Sequence, residues 1–455
     1  MEAHERARAA VEQWRRSEAE ARIRGWGELD EAEPLPTPAW PTLEAETFVD
    51  AELAPAERGA AAAHLARAAF ERAIGPFRER RREDLAQPVA LERDRVPASV
   101  AAGFLLDPNR ARSAARALEV VGRSLARGAD EATQAGAERA GRWLRAVEAP
   151  PHPDGGPSAA DRRALAEKVL DESQSALDAV RDRFGVAELW QWPLAVHGDR
   201  SLFRPERRFQ RIAADLEGWG FRSVLAAHVS VAPERPALRS RLAARRVPER
   251  IRIAGPSVDG VLGEWLAAEG LGRALALSLV SPAAASPLRR PVAETVGRAL
   301  GVLVAQVATG PVALRKRGLT LTESRAAVSL GAAVALLRVR LDAAAVLAEG
   351  APLEGRASLV ARATGTGADP GAAFLLTTSA ASPRFRASVA GLALYPALRE
   401  HFDEDFFRNP RAAEPIRGAA TRGGALSAEA FVEEVDGAQE QAIARLAELA
   451  ELALA

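Results

Sequence analysis

Metal, nucleophilic and acid–base chemistry each need particular residue types at particular spacings, and the histidines are the first place to look. His4, His64, His152, His197, His228 and His401 are scattered, with no pair at three to five residues and no flanking carboxylates at ligand spacing. A lone histidine of this kind reads as a surface or hydrogen-bonded residue rather than a ligand. His228 stands apart because its segment alternates in polarity. Cysteine is absent, which excludes disulfides, thiolate metal sites and cysteine nucleophiles. No Gly-x-Ser-x-Gly turn supports a serine hydrolase. Gly365-Thr-Gly-Ala-Asp-Pro-Gly371 is glycine-rich but lacks the spacing of a phosphate or dinucleotide loop, and reads as a loop. Trp190, Trp192 and Trp219 lie near Arg204, Arg207, Arg208 and Arg211. That pairing suits base stacking, but amphipathic helices with buried aromatics produce it more often. Glu269 has Arg273 four residues on, and Glu294 has Arg298. Each pair has the favourable orientation for a helix ion pair worth about 0.2–0.5 kcal/mol, a structural reading of both carboxylates.

Long windows rich in Ala, Leu, Arg and Glu, with apolar residues at helical spacing, predict a mostly α fold. Helices are expected over 5–24, 55–74, 108–147, 158–185, 205–217, 258–280, 292–315, 321–347, 383–402 and 439–454. Ser158 with Asp161, and Thr320 with Glu323, have the spacing that satisfies free amides at a helix start. Alternation over Ser223–Val231 and Arg250–Ile253 predicts a small sheet. Two connectors stand out, Glu31-Ala-Glu-Pro-Leu-Pro-Thr-Pro38 and Ala149-Pro-Pro-His-Pro-Asp-Gly-Gly-Pro157. The second places a boundary between an N-terminal helical region, 1–150, and a larger domain, 151–455. No fixed-period repeat supports a solenoid.

With 61 acidic and 61 basic residues the chain carries no net field to attract nucleic acid or an anionic membrane. The most apolar stretches, Leu275–Val280 and Val328–Leu337, are bounded by Arg273, Arg325 and Arg338 and fall short of the roughly 20 residues of a membrane span. A charged N-terminus without an apolar segment makes the cytoplasm the expected location.

A family resemblance runs through the second half. Arg250-Ile-Arg-Ile253, then Ala268-Glu269-Gly270-Leu271-Gly272 and Arg273-Ala-Leu275, resemble the strand, loop and active-site helix of the thimet oligopeptidase and oligoendopeptidase family, gluzincins whose helix carries H-E-x-x-H. Pro291-Val-Ala-Glu294-Thr-Val-Gly-Arg-Ala-Leu300 resembles the next helix, where the family's third zinc ligand is a Glu about 25 residues on. Ala393-Leu-Tyr-Pro396, Asn409-Pro410 and Arg422-Gly-Gly424 are similar to its C-terminal helices.

The resemblance implies a two-lobed, zincin-derived helical fold with a small sheet beside the former active-site helix. Two imidazoles four residues apart share one helix face and reach one Zn²⁺, with the intervening Glu as general base. Here Ala268 and Gly272 stand at the histidine positions, leaving Glu269 vestigial and Glu294 alone at the third ligand. The family also stabilises the oxyanion with Tyr and His side chains; Tyr395 is the sole tyrosine. The expectation is a catalytically inactive homologue without zinc or another cofactor, acting as a peptide- or protein-binding scaffold. Tyr395, Arg384, Arg386 and His228 are its candidate cleft residues. The alternative is an active metallohydrolase whose rearranged site gathers Glu269, Glu294 and His228 or His401.

Overall fold

The computed structural model describes residues 5–14, 53–101, 105, 107, 109–147, 156–198, 203, 205–235, 240–256, 258–289, 294–349, 351–368, 376 and 381–455. The connectors expected at 31–38 and, for all but its last two residues, at 149–157 lie outside them.

Helix α1, Pro55–Ala73, has its proline in the first turn, where the missing N–H costs nothing. Gly75-Pro76, expected as a stop, opens another helix, Gly75–Ala86, for the same reason. The antiparallel strands β1, Pro88–Leu91, and β2, Asp94–Pro97, form a hairpin that apolar spacing did not announce. Helix α2 spans Ala111–Ala146. Val11, Leu53, Leu65 and Val147 form a small core with Trp143 and Leu144.

Ser158 accepts from the Asp161 amide and opens α3, Ala159–Glu172. The single helix expected to Gly185 breaks at Ser173, and α4, Gln174–Phe184, ends on Gly185 in the left-handed conformation. Helix α5 covers Arg208–Asp215. The stretch read as alternating from Ser223 is helical over Arg222–His228, and only β3, Val229–Arg235, is a strand. It lies parallel to β5, Arg250–Pro256, while β4, Arg241–Arg246, runs antiparallel on the other side of β5.

Helix α6, Gly260–Leu279, is buried on nearly every face, as its lack of a polar stripe requires. Around it lie α7, Thr295–Ala308, and α8, Leu321–Leu347, whose Thr320/Glu323 capping box forms as expected. Then come α9, Leu353–Thr364, α10, Ala381–Phe402, and α11, Ala413–Thr421. Two last helices, α12, Ala428–Glu433, and α13, Glu440–Leu454, complete the chain. One large hydrophobic core joins α3, α6, α7, α8, α10 and α13. Trp192 and Trp219 are buried in it, the packing reading of the aromatics, and their indole N–H groups donate to the Thr364 and Phe406 carbonyls. Among the described residues no helix is long and apolar enough to cross a membrane.

Candidate functional site

Each face of α6 around Glu269 meets a different element. At Gly270 the helix lies on the sheet region, so that a Cβ would come within 2.4 Å of Ser240 Cβ and 3.2 Å of Ile253 Cδ1. At Gly272 it lies on α7. A Cβ there would be 2.7 Å from Gly301 Cα, and one on Gly301 would be 2.6 Å from the Glu269 carbonyl. Two glycines thus let the backbones of α6 and α7 touch, which is why both are tolerated despite the helix penalty of about 1 kcal/mol each. Ala268, at the other position where the oligopeptidase resemblance implies a histidine, is fully buried in the main core.

Glu269, 9% exposed, points toward α8, where Arg338 Nη2 donates to its Oε1 at 3.0 Å. Glu294, also 9% exposed, accepts from Arg273 Nη2 at 2.6 Å. The two intrahelical pairs anticipated from the four-residue spacing give way to these pairs between elements. The backbone bears on one of them: Glu294 is the N-cap of α7 with φ 47°, so its side chain leaves a non-helical backbone although the Arg298 amide donates to its carbonyl at 2.9 Å.

The network continues through Asp342, which lies 4.0 Å from Arg338 Nε and 3.2 Å from Arg384 Nε and accepts from Ser388 Oγ at 2.7 Å. Arg298 completes it, held in the combined field of Arg273, Glu294, Glu269 and Arg384. Burial and the neighbouring Arg273 push its guanidinium down to about 9. Arg338 moves the other way, raised by the Glu269 carboxylate against the effect of burial. Arg338 and Asp342 had a sequence signal: charged residues interrupting an apolar helix must find partners.

The expected cleft residues do not all meet here. Arg384 joins the cluster. Arg386, two positions on, forms a bidentate pair with Glu429 at 2.7 Å through each nitrogen. Tyr395 is eleven residues along α10 from Arg384, roughly 16 Å at helical rise. It is buried, with Arg445 4.0 Å from its ring centre and Phe406 edge-on at 5.3 Å, and desolvation raises its phenol above its usual value. His228 lines a cavity of about 330 Å³ at the sheet edge with Ser230, Arg250 and Arg252. His401 sits near the C-terminal end of α10, beside Phe402.

The zinc implied by the oligopeptidase resemblance does not fit these residues. Ala268 and Gly272 offer no donor atom, an imidazole at 272 would enter the backbone of α7, and both carboxylates hold guanidiniums. No group of three or more His, Asp and Glu residues among the described residues is placed to hold a metal.

No protein-family model matches the sequence, and no curated protein matches it. Solved structures do match. PZ peptidase A with an inhibitor has a TM-score of 0.61 and 11% identity, over 90% of this chain and 82% of that one. A Bacillus anthracis str. Ames protein designated an oligoendopeptidase F has 0.58 and 11%, over 87% and 77%. A Pyrococcus furiosus carboxypeptidase has 0.57 and 11%, over 98% and 99%. At these identities the likeness is one of fold. The chain has a mostly helical, oligoendopeptidase-like peptidase fold.

Proposed function

We propose that this chain is a degenerate relative of the oligoendopeptidases that does not cleave peptides and instead binds a peptide or protein segment, acting as a scaffold in the cytoplasm. The observation that carries the reading is the reassignment of the two carboxylates. Glu269, which would have to act as general base on a metal-bound water, is engaged by Arg338, and Glu294, which would have to ligate, is engaged by Arg273. A guanidinium supplies the positive charge a metal would bring but neither activates water nor polarises a carbonyl as a Lewis acid. Binding and catalysis are separable on one fold, because activity resides in a few positioned groups and affinity in the surrounding surface.

The test measures zinc content by mass spectrometry after incubation with Zn²⁺ and desalting, quenched-fluorescent peptide cleavage beside an active oligoendopeptidase, and peptide binding by fluorescence anisotropy. Substoichiometric zinc, no cleavage and measurable binding are expected. Near-stoichiometric zinc with cleavage that Glu269→Gln abolishes would overturn the reading and establish a rearranged metal site.

A further inference from the structure

Elsewhere in this protein buried and half-buried arginines sit on carboxylates, in places more than one to a carboxylate. Arg386 has Glu429, Arg399 and Arg445 share Glu448, and Arg208, Arg211 and Arg317 gather on Glu264 and Asp215. Arg340 spends its donors on carbonyl, hydroxyl and amide oxygens. The cluster around Glu269 combines such an excess with two unbonded buried Nε atoms. Four guanidiniums, Arg273, Arg298, Arg338 and Arg384, face three carboxylates, Glu269, Glu294 and Asp342, leaving one positive charge in excess among the described residues.

The Nε atoms of Arg273 and Arg298 are buried without a hydrogen-bond partner among the described residues, while Arg384 Nε faces Asp342 Oδ1 at 3.2 Å out of line for a hydrogen bond. Leaving a buried donor unmade is costly, and natural proteins leave few. The cluster is not sealed: the Arg338 side chain is 33% exposed and that of Arg384 25%. An uncompensated, partly desolvated positive charge reachable from solvent is costly in the free protein and complementary to an incoming anion.

We propose that this cluster is an oxyanion-binding site, and that its ligand is a carboxylate of an acidic peptide, received where the parent fold would hold a cation. This rests on the peptide-binding reading above and specifies its ligand. Guanidinium suits the role because its planar N–H fork donates to a carboxylate bidentately and is weakly hydrated, so little is lost on burial. Arg298 is the central group, since it lies among the other charges while Arg273 and Arg338 are held by Glu294 and Glu269. Burial and Arg273 already push it to about 9, the mark of a cation that its surroundings do not fully compensate. Arg384, from α10, supplies the charge on the exposed side.

The experiment titrates the protein into two fluorescent peptide pools of equal length, one Glu-rich and one with Gln at the same positions, and repeats this with Arg298→Met, Arg298→Lys and Arg384→Met. Circular dichroism melting checks that each variant folds. The acidic pool is expected to bind about tenfold or more tightly than the Gln pool, with affinity falling as salt rises. Arg298→Met and Arg384→Met should remove that preference, so that the two pools bind alike, and Arg298→Lys should recover part of it. Inorganic phosphate should displace the acidic pool from wild type. Equal binding of both pools would overturn the anion site and leave the peptide-binding reading standing; binding of neither pool would overturn both. An acidic preference unmoved by the Arg298 and Arg384 variants would place the anion elsewhere, and phosphate binding without acidic-peptide binding would exclude the peptide as its source.

Discussion

Glu269 accepts from Arg338 across the contact of α6 with α8. Glu269→Ala leaves Arg338 half-buried beside Asp342 alone, at 4.0 Å, and should lower stability by about 1–2 kcal/mol in urea titration, discounted because Arg338 keeps some solvent. No loss would mean that the pair contributes nothing. Arg298 should behave in the opposite way. Its folded-state value, about 9, lies well below that of an exposed arginine, so the unfolded chain holds this proton more tightly. Stability therefore rises with pH from about 9 upward, as the native state sheds a charge it solvates poorly, and below that the full penalty applies. Arg298→Met should accordingly equal or exceed wild type in urea midpoint at pH 7, with the gap narrowing toward pH 10. A gap that favours wild type at pH 7 would show that Arg298 is compensated after all. At this scale the sequence was legible for residue types, because alanine and glycine cannot ligate. It was not legible for partners: four-residue spacing fits both intrahelical pairs, and only the left-handed Glu294 and the approach of α8 redirect them.

Elements were easier to read than their junctions. The starts of α3 and α8 followed from Ser158/Asp161 and Thr320/Glu323, because capping is local chemistry. The break at Ser173 and the helix over Arg222–His228 did not, because a short run with Val224 and Leu225 fits a buried helix turn as well as a strand. The contact of α6 with α7 is half legible, because Gly270 and Gly272 inside a helix point to close packing without naming the partner. Since a Cβ on Gly272 would meet the Gly301 backbone at 2.7 Å, Gly272→Ala must push the helices apart despite alanine's better helix propensity. The expected result is a net loss of about 1–3 kcal/mol by thermal or urea unfolding, and a stabilised variant would contradict the backbone contact. Introducing histidines with Ala268→His and Gly272→His should for the same reason yield a destabilised protein that still retains no zinc after desalting.

The whole molecule depends on how a few buried charges join helices distant in sequence. Arg340 is fully buried on α8. It donates to the carbonyl of Leu170 at 2.8 Å near the end of α3, and to those of Ala363 at 3.0 Å and Arg362 at 2.6 Å at the end of α9. Ser173 Oγ and Gln174 Oε1 accept its remaining bonds, at 2.5 and 2.6 Å. Helix C-termini leave carbonyls unsatisfied and carry partial negative charge, so one guanidinium satisfies two ends at once and fixes α3 and α9 against the core helix. Burial and Arg362 push its pKa down to about 10, yet it stays charged at neutral pH. Arg340→Met keeps much of the volume but strands those acceptors out of reach of water, so the loss should be large, about 3–5 kcal/mol. Because the acceptors belong to two helices, the damage should be local as well as global: backbone amides of α3 and α9 should exchange hydrogen faster while those of α6 and α7 keep their order of protection. A uniform rise in exchange across all four helices would instead mean that the fold opens only as one unit and that Arg340 has no special hold on the two it caps.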